Sequence, residues 1–290
     1  PLKQPLYFDL ADGRMIFAIP RGRVTYVGTT DTNYVGNLNR IVATQDDAKY
    51  LLEAVNATFP KVNLVLEDIE SNWAGLRPLI HEEDKDPSEL SRKDELFISD
   101  SGLISIAGGK LTGYRKMAHR VIDAVLKTMN ESHKAKLKKT YTDTISLVSP
   151  ALNSTSEVNI YTASIEKDLA QFGISDVYHA WYLCTTYGKQ SDIIIKKSKE
   201  FENKDALERL IRAEFWFCIY YEMTNSLADF FVRRTGRLYF NINSIHKYKG
   251  LILEDCIRYL DWKEKRVKSE KADLEILLKD ATTYYNQEFE

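Results

Sequence analysis

The densest local chemistry in the chain lies in the run Ile104-Ser105-Ile106-Ala107-Gly108-Gly109-Lys110-Leu111-Thr112. A β-branched strand runs into two glycines, a lysine and a threonine, and helical spacing begins at once. Glycines at such a place let a ligand approach the backbone closely. The first-turn amides and the dipole of the following helix favour an anion or a polarised oxygen, and Lys110 adds a mobile positive charge. A phosphate-cradling P-loop is the obvious rival. It needs glycine at 104 and Ser or Thr at 111, where the chain has Ile104 and Leu111, so nucleoside triphosphate binding is rejected. The same run also reads as a tight strand-to-helix turn that carries a surface lysine.

A second cluster is Ser71-Asn72-Trp73-Ala74-Gly75-Leu76-Arg77-Pro78-Leu79. Pro78 pushes Arg77 into extended geometry. An arginine in an otherwise apolar strand has to meet an anion or a carbonyl, because burying it unpaired is costly. Its planar fork suits phosphate or carboxylate bidentately. A salt bridge to Glu82, Glu83 or Asp84 would satisfy it equally. The third cluster, Gly28-Thr29-Thr30-Asp31-Thr32, sets hydroxyls around one carboxylate, which suits an Asx or Ser/Thr turn as well as a polar site. The five histidines form no metal-like pair, and the cysteines at 184, 218 and 256 form no CxxC, so neither a metal site nor a disulfide framework is expected. A reducing, cytoplasmic setting follows.

Around these clusters the elements change character along the chain. Short apolar runs at 6–10, 15–19 and 24–28, parted by Ala11-Asp12-Gly13-Arg14 and Arg21-Gly22-Arg23, predict a meander of β-hairpins. Thr44 opens a helix with Asp47 as capping-box partner, and Pro60 stops it. Strands are expected around 68–77, 95–99 and 103–107, then a helix from about 112 to 129 with Met117, Val121, Val125 and Met129 inward. Residues 130–150 read as a connection. Beyond them helical spacing dominates, with helices expected at 157–172, 177–187, 192–199, 205–221 and 225–234, and one or two between 250 and the end. Phe215, Trp216, Phe217, Tyr220 and Tyr221 cover more than one face of their helix, which predicts burial on both sides or a protein contact. The basic stretch 263–271 reads as a solvated helix face. The expected fold is α+β: an antiparallel β-rich substrate-side domain over 1–145, then an all-α helical C-terminal domain over 146–290.

The 290 residues carry 40 Lys+Arg against 42 Asp+Glu, a formal net charge of −2. This balance removes the electrostatic argument for a nucleic-acid protein. With 44% hydrophobic and 28% charged residues the composition is that of a globular protein. The most apolar stretch, 215–232, contains Glu222 and Asp229 and falls short of the roughly 20 apolar residues of a spanning helix.

Taken in order, the clusters are more specific than apart. Residues 14–20 (Arg-Met-Ile-Phe-Ala-Ile-Pro), Gly28-Thr29-Thr30-Asp31-Thr32, Trp73-Ala74-Gly75-Leu76-Arg77-Pro78-Leu79, Ser91-Arg92-Lys93-Asp94, Ser101-Gly102-Leu103 and Gly108-Gly109-Lys110-Leu111-Thr112-Gly113-Tyr114-Arg115-Lys116-Met117-Ala118 together resemble the FAD-dependent glycerol-3-phosphate dehydrogenases and the similar α-glycerophosphate oxidases. Glu222-Met223 and Ser226-Leu227-Ala228-Asp229-Phe230-Phe231-Val232-Arg233-Arg234-Thr235 are similar to that family's C-terminal helical domain. The family opens with a βαβ unit bearing GxGxxG, which holds the FAD pyrophosphate. No such spacing occurs here and the chain begins at Pro1, so a substrate-side and C-terminal portion is expected, inactive and without flavin in isolation.

The resemblance implies oxidation of sn-glycerol 3-phosphate to dihydroxyacetone phosphate, with electrons passing from FAD to quinone or oxygen. It assigns Arg77 and Lys110 as catalytic residues, and Gly108, Gly109, Lys110, Leu111 and Thr112 to the cofactor. It admits a homodimer and a peripheral contact at the inner face of the cell membrane. Two alternatives stay open at this point: a non-catalytic helical interaction module of a larger flavoprotein, and another FAD-dependent amine or amino-acid oxidase.

Overall fold

The structure, a computed structural model, describes residues 2–30, 32, 34, 36–77, 94–134, 136–202 and 205–285. The chain forms two compact units, one of residues 1–30, 36–74 and 147–290, the other of residues 31–35 and 75–146.

The first unit opens with the expected meander. Strands β1 (Leu6–Asp9), β2 (Met15–Arg21) and β3 (Val24–Gly28) make an antiparallel sheet in the order β1-β2-β3. Its register pairs Phe8 with Ile16 and Ile19 with Tyr26. Alternation along β2 buries Ile16 and Ala18 and leaves Met15 outside, as a half-buried strand requires. In the first turn Asp12 accepts the Arg14 amide at 3.0 Å. Helix α1 (Gln45–Thr58) has the capping box its sequence announces: the Asp47 amide donates to Thr44 Oγ1 at 3.2 Å, and the Thr44 amide donates to Asp47 Oδ2 at 3.0 Å.

The rest of this unit is helical: α4 (Thr155–Gln171), α5 (Val177–Tyr187), α6 (Ser191–Ser198), α7 (Ala206–Glu222), α8 (Arg237–Phe240), α9 (Ile242–Leu260) and α10 (Glu264–Thr282). Helix α7 lies at the centre of its core. Ile211, Phe215 and Cys218 pack into a cluster with Phe230, Ile245, Ile252 and Leu274. Leu210, Ala213 and Phe217 pack into a second cluster with Ile165, Leu183 and Ile194. Phe215 and Phe217 are fully buried, and complete burial of each such ring stabilises the fold by about 1.5–3 kcal/mol. Burial on both sides of α7 is therefore correct for these two rings, while Tyr220 and Tyr221 stay exposed at its end. The basic stretch at the start of α10 is solvated as expected, with Glu270 as its exception: that carboxylate is buried and accepts the Leu227 amide at 2.9 Å.

In the second unit β4 (Asp94–Ile98) and β5 (Ile104–Gly108) form an antiparallel hairpin, followed by a 3₁₀ turn (Leu111–Gly113), α2 (Tyr114–Thr128) and the short α3 (Glu131–Lys134). Met117, Val121 and Val125 lie on the less exposed face of α2, as their spacing predicts. The architecture is α+β, with small antiparallel sheets first and helices after.

Three expectations are corrected. Residues 68–77 form no strand: a 3₁₀ turn (Leu66–Asp68) leads into irregular backbone up to Arg77. The donors of this stretch are taken by helix ends rather than by a ladder. Ser71 Oγ donates to the Leu238 carbonyl at 2.7 Å, and both the amide and Nδ2 of Asn72 donate to the Ala281 carbonyl at 2.8 and 2.9 Å. Carbonyls in a last helical turn lack helical partners, which is why they accept these bonds. Second, residues 229–234 wind as a wider π turn, closed by the Thr235 amide and hydroxyl, both donating to the Phe230 carbonyl. Third, Gly250 marks no boundary, since α9 begins at Ile242 and runs through it.

Candidate functional site

The Gly108–Gly113 turn is built by the hairpin and the helix it joins. Gly108 and Gly109 both have positive φ, +75° and +81°. At Gly109 a side chain is excluded twice, because a Cβ would also lie 2.8 Å from Met117 Sδ and 3.2 Å from Asp94 Cβ. Lys110 returns to extended backbone, its side chain is exposed, and its carbonyl accepts the Gly113 amide at 2.8 Å. Leu111 and Thr112 are exposed beside it.

The helical start that follows has an unusual donor set. Neither the 3₁₀ turn nor α2 has a side-chain cap, and the first turn of α2 carries no acidic residue. It carries Arg115 and Lys116 instead, next to Lys110. Positive side chains at a helix N-terminus oppose the helix dipole, and here the Gly113 and Tyr114 amides turn back onto the Lys110 and Leu111 carbonyls instead of meeting a side-chain cap. Such an end suits an anion or a polarised carbonyl. The residues therefore fit the electron-rich edge of a flavin or a phosphate.

Two side chains brace this turn. Asp94 is the register partner of Gly108 at the open end of the hairpin. The Arg120 guanidinium, on the second turn of α2, forms an ion pair with the Asp94 carboxylate and donates from Nη1 to the Asp94 carbonyl at 3.3 Å. Met117, one turn earlier, lies under Gly109. Sequence reading passed over Arg120, because an arginine 26 residues from its acid leaves no local signal.

The proposed site residues fall as follows. Gly108, Gly109, Lys110, Leu111 and Thr112 make one contiguous turn in the second unit. Arg77 belongs to the same unit and is exposed in irregular backbone, not held in an apolar strand. Pro78, Leu79, the acids Glu82, Glu83 and Asp84, and Ser91-Arg92-Lys93 lie outside the described residues. Trp73 belongs to the first unit, where it packs against Tyr239, Phe240 and Tyr26 with ring centroids 4.8, 5.7 and 6.1 Å away. In the third cluster Thr29 and Thr30 follow β3 half-buried, and Asp31 lies outside the described residues.

Known proteins set the class. Residues 1–115 match the family described as FAD dependent oxidoreductase, and residues 154–267 match the C-terminal domain of alpha-glycerophosphate oxidase. The aerobic glycerol-3-phosphate dehydrogenase of Bacillus subtilis is 42% identical over 99% of this chain and 52% of its own length. That of Staphylococcus aureus is 40% identical over 99% of this chain and 52% of its own. The solved glycerol-3-phosphate dehydrogenase of Bacillus halodurans, complexed with FAD, superimposes with a TM-score of 0.81 at 37% identity, covering 99% of this chain and 55% of that one. The chain is similar to the FAD-dependent glycerol-3-phosphate dehydrogenases along nearly its whole length, and it spans about half the length of the curated relatives it matches.

Proposed function

We propose that this chain supplies the substrate-side and helical portion of an FAD-dependent enzyme that oxidises sn-glycerol 3-phosphate to dihydroxyacetone phosphate. The observation that carries the reading is the Gly108–Gly113 turn, with positive-φ glycines, an uncapped helix start and cations where an acid would normally sit. FAD held there would supply the acceptor for the hydride from C2 of the substrate. The backbone of Gly108, Gly109, Leu111 and Thr112 would hold the flavin edge, and the α2 dipole would stabilise negative charge there by about 1–2 kcal/mol. Lys110 and Arg77 hold the phosphate or the oxygen that becomes the ketone. Neither cation accepts a proton, so the base for the C2 hydroxyl is another group.

The family matches support a functional division into residues 1–145 and 146–290, since one match ends at 115 and the other begins at 154. Electrons leave to quinone or oxygen, and the relatives' designation as aerobic enzymes supports a route that ends on oxygen. Among the described residues no helix is long and apolar enough to cross a membrane, so contact with the inner face of the cell membrane from a cytoplasmic station would be peripheral. The exposed Tyr220, Tyr221 and Met223 are apolar surface open to that contact or to a homodimer. GxGxxG does not occur in these residues, so activity is expected of the full-length protein and not of this chain alone.

The test is an anaerobic absorbance trace of the full-length protein before and after glycerol 3-phosphate is added. Rapid flavin bleaching is expected. A yellow protein that does not bleach would overturn the substrate, and a colourless one the flavin.

A further inference from the structure

The Gly108-Gly109-Lys110 turn lies between two positive-φ glycines and an uncapped helix, so its own backbone does little to fix the angle between β5 and α2. What fixes it is packed around Asp94. The ladder joins Asp94 to Gly108. Met117 fills the space under Gly109. Arg120, three residues on and so on the same face of α2, takes both the main-chain carbonyl and the carboxylate of Asp94. Because the carbonyl is one of its acceptors, Arg120 pins the backbone of β4 at the point that faces the turn.

The geometry points to Arg120 as a positioning residue: by clamping α2 to Asp94 it aims Lys110 and the first amides of the helix at flavin and substrate. This inference rests on the proposed reading of that turn. The pair is partly exposed, with 52% of the Arg120 and 26% of the Asp94 side-chain surface accessible, so solvent screening leaves it little weight in global stability. Its effect is therefore separable from folding.

The test uses the full-length flavoprotein with Arg120→Ala, Arg120→Lys, Asp94→Asn and Lys110→Ala, and with Lys249→Ala as a control that breaks another exposed ion pair, with Glu275. The readouts are the FAD dissociation constant, the flavin midpoint potential, kcat and KM for glycerol 3-phosphate, and the unfolding midpoint. Arg120→Ala is expected to weaken FAD binding and lower kcat by about tenfold each, the scale on which misplacing a site by a fraction of an ångström acts. The unfolding midpoint should stay within about 3 °C, as for an exposed pair. Arg120→Lys keeps the charge but not the fork and should fall between wild type and alanine. If Arg120→Ala does not fold, Asp94→Asn, which keeps the carbonyl and the ladder, carries the same expectation in weaker form.

Wild-type FAD affinity, potential and kcat in Arg120→Ala, beside a crippled Lys110→Ala, overturn the positioning role alone. A Lys110→Ala enzyme that behaves as wild type overturns the reading of the turn, and this inference with it. An equal shift of the flavin in Lys249→Ala would show a non-specific effect and also overturns it.

Discussion

An alanine at position 109 would meet two obstacles at once, a backbone φ of +81° and a sulfur 2.8 Å from its methyl group. The left-handed conformation alone costs a non-glycine residue roughly 1–2 kcal/mol. Gly109→Ala should therefore destabilise the turn and lower FAD retention in the full-length protein. Adding Met117→Ala should relieve the steric part and leave the backbone part, so the double variant should recover part of the lost flavin but not all of it. Full recovery would mean that φ at 109 does not matter. Lys110 has a different role, since nothing in the packing needs it. Lys110→Ala is expected to lower the rate of anaerobic flavin reduction by about 10²-fold while the unfolding midpoint stays put, the scale on which a single charge-stabilising group acts. Lys110→Arg should not restore the rate, because a planar fork replaces a compact point charge.

Among the elements, one carboxylate joins three helices of the helical part. Buried Glu214 on α7 accepts from Tyr182 at 2.5 Å and Tyr187 at 2.8 Å on α5, and from Arg237 Nη2 on α8 at 2.5 Å. Burial pushes both phenols well above their ordinary range, with the Glu214 charge adding to it. Burial pulls the Arg237 guanidinium down, but the Glu214 charge and hydrogen bond together with the Tyr182 and Tyr187 phenols outweigh it and leave the group raised. Glu214→Gln would strand a buried cation, at a cost of about 3–5 kcal/mol. Combining Glu214→Leu with Arg237→Met should cost much less than the sum of the single changes, as a double-mutant cycle in urea would show. His179 on α5 adds a pH dependence. Burial lowers its folded value, opposed in part by Asp176. As pH falls below the ordinary imidazole value of about 6.5 the unfolded chain takes up a proton that the folded chain refuses, so stability drops with falling pH. His179→Gln should flatten that slope below pH 6.5. Joints of this kind also mark where sequence reading stops. The Thr44–Asp47 cap, the hairpin turns and the aromatic faces of α7 were legible because their partners are local or their periodicity is strong. Residues 68–77 were misread as a strand because Ser71 and Asn72 bond to carbonyls 167 and 209 residues away. The glycine-lysine turn was legible for the same local reasons as the cap, while Arg120, which braces it from 26 residues beyond Asp94, was not.

At the scale of the molecule the two units are built on different terms. The first holds two clusters of buried side chains, several of them with no exposed surface. In the second, among the described residues, none in β4, β5 or α2 is fully buried, and Leu111 keeps 89% of its surface exposed. Local opening free energy follows buried apolar contact, so amides of α4, α7 and α9 should open only in rare, large excursions, while those of residues 94–128 exchange through small ones. A ligand that binds the native turn stabilises the state it binds and suppresses just those small openings. Hydrogen exchange on the full-length protein, with FAD present and after its removal, separates these contributions. Slowing on FAD binding is expected at residues 104–120, through β5, the Gly108–Gly113 turn and the first turns of α2. In Arg120→Ala that slowing should shrink, because the amides there would be less well aimed. The clusters around Phe215 and Phe217 should exchange at the same slow rate in every case, since their stability comes from burial and not from the cofactor. Protection gained in the helical clusters, with none at 104–120, would move the flavin away from the turn and overturn the site assigned to Gly108, Gly109, Lys110, Leu111 and Thr112.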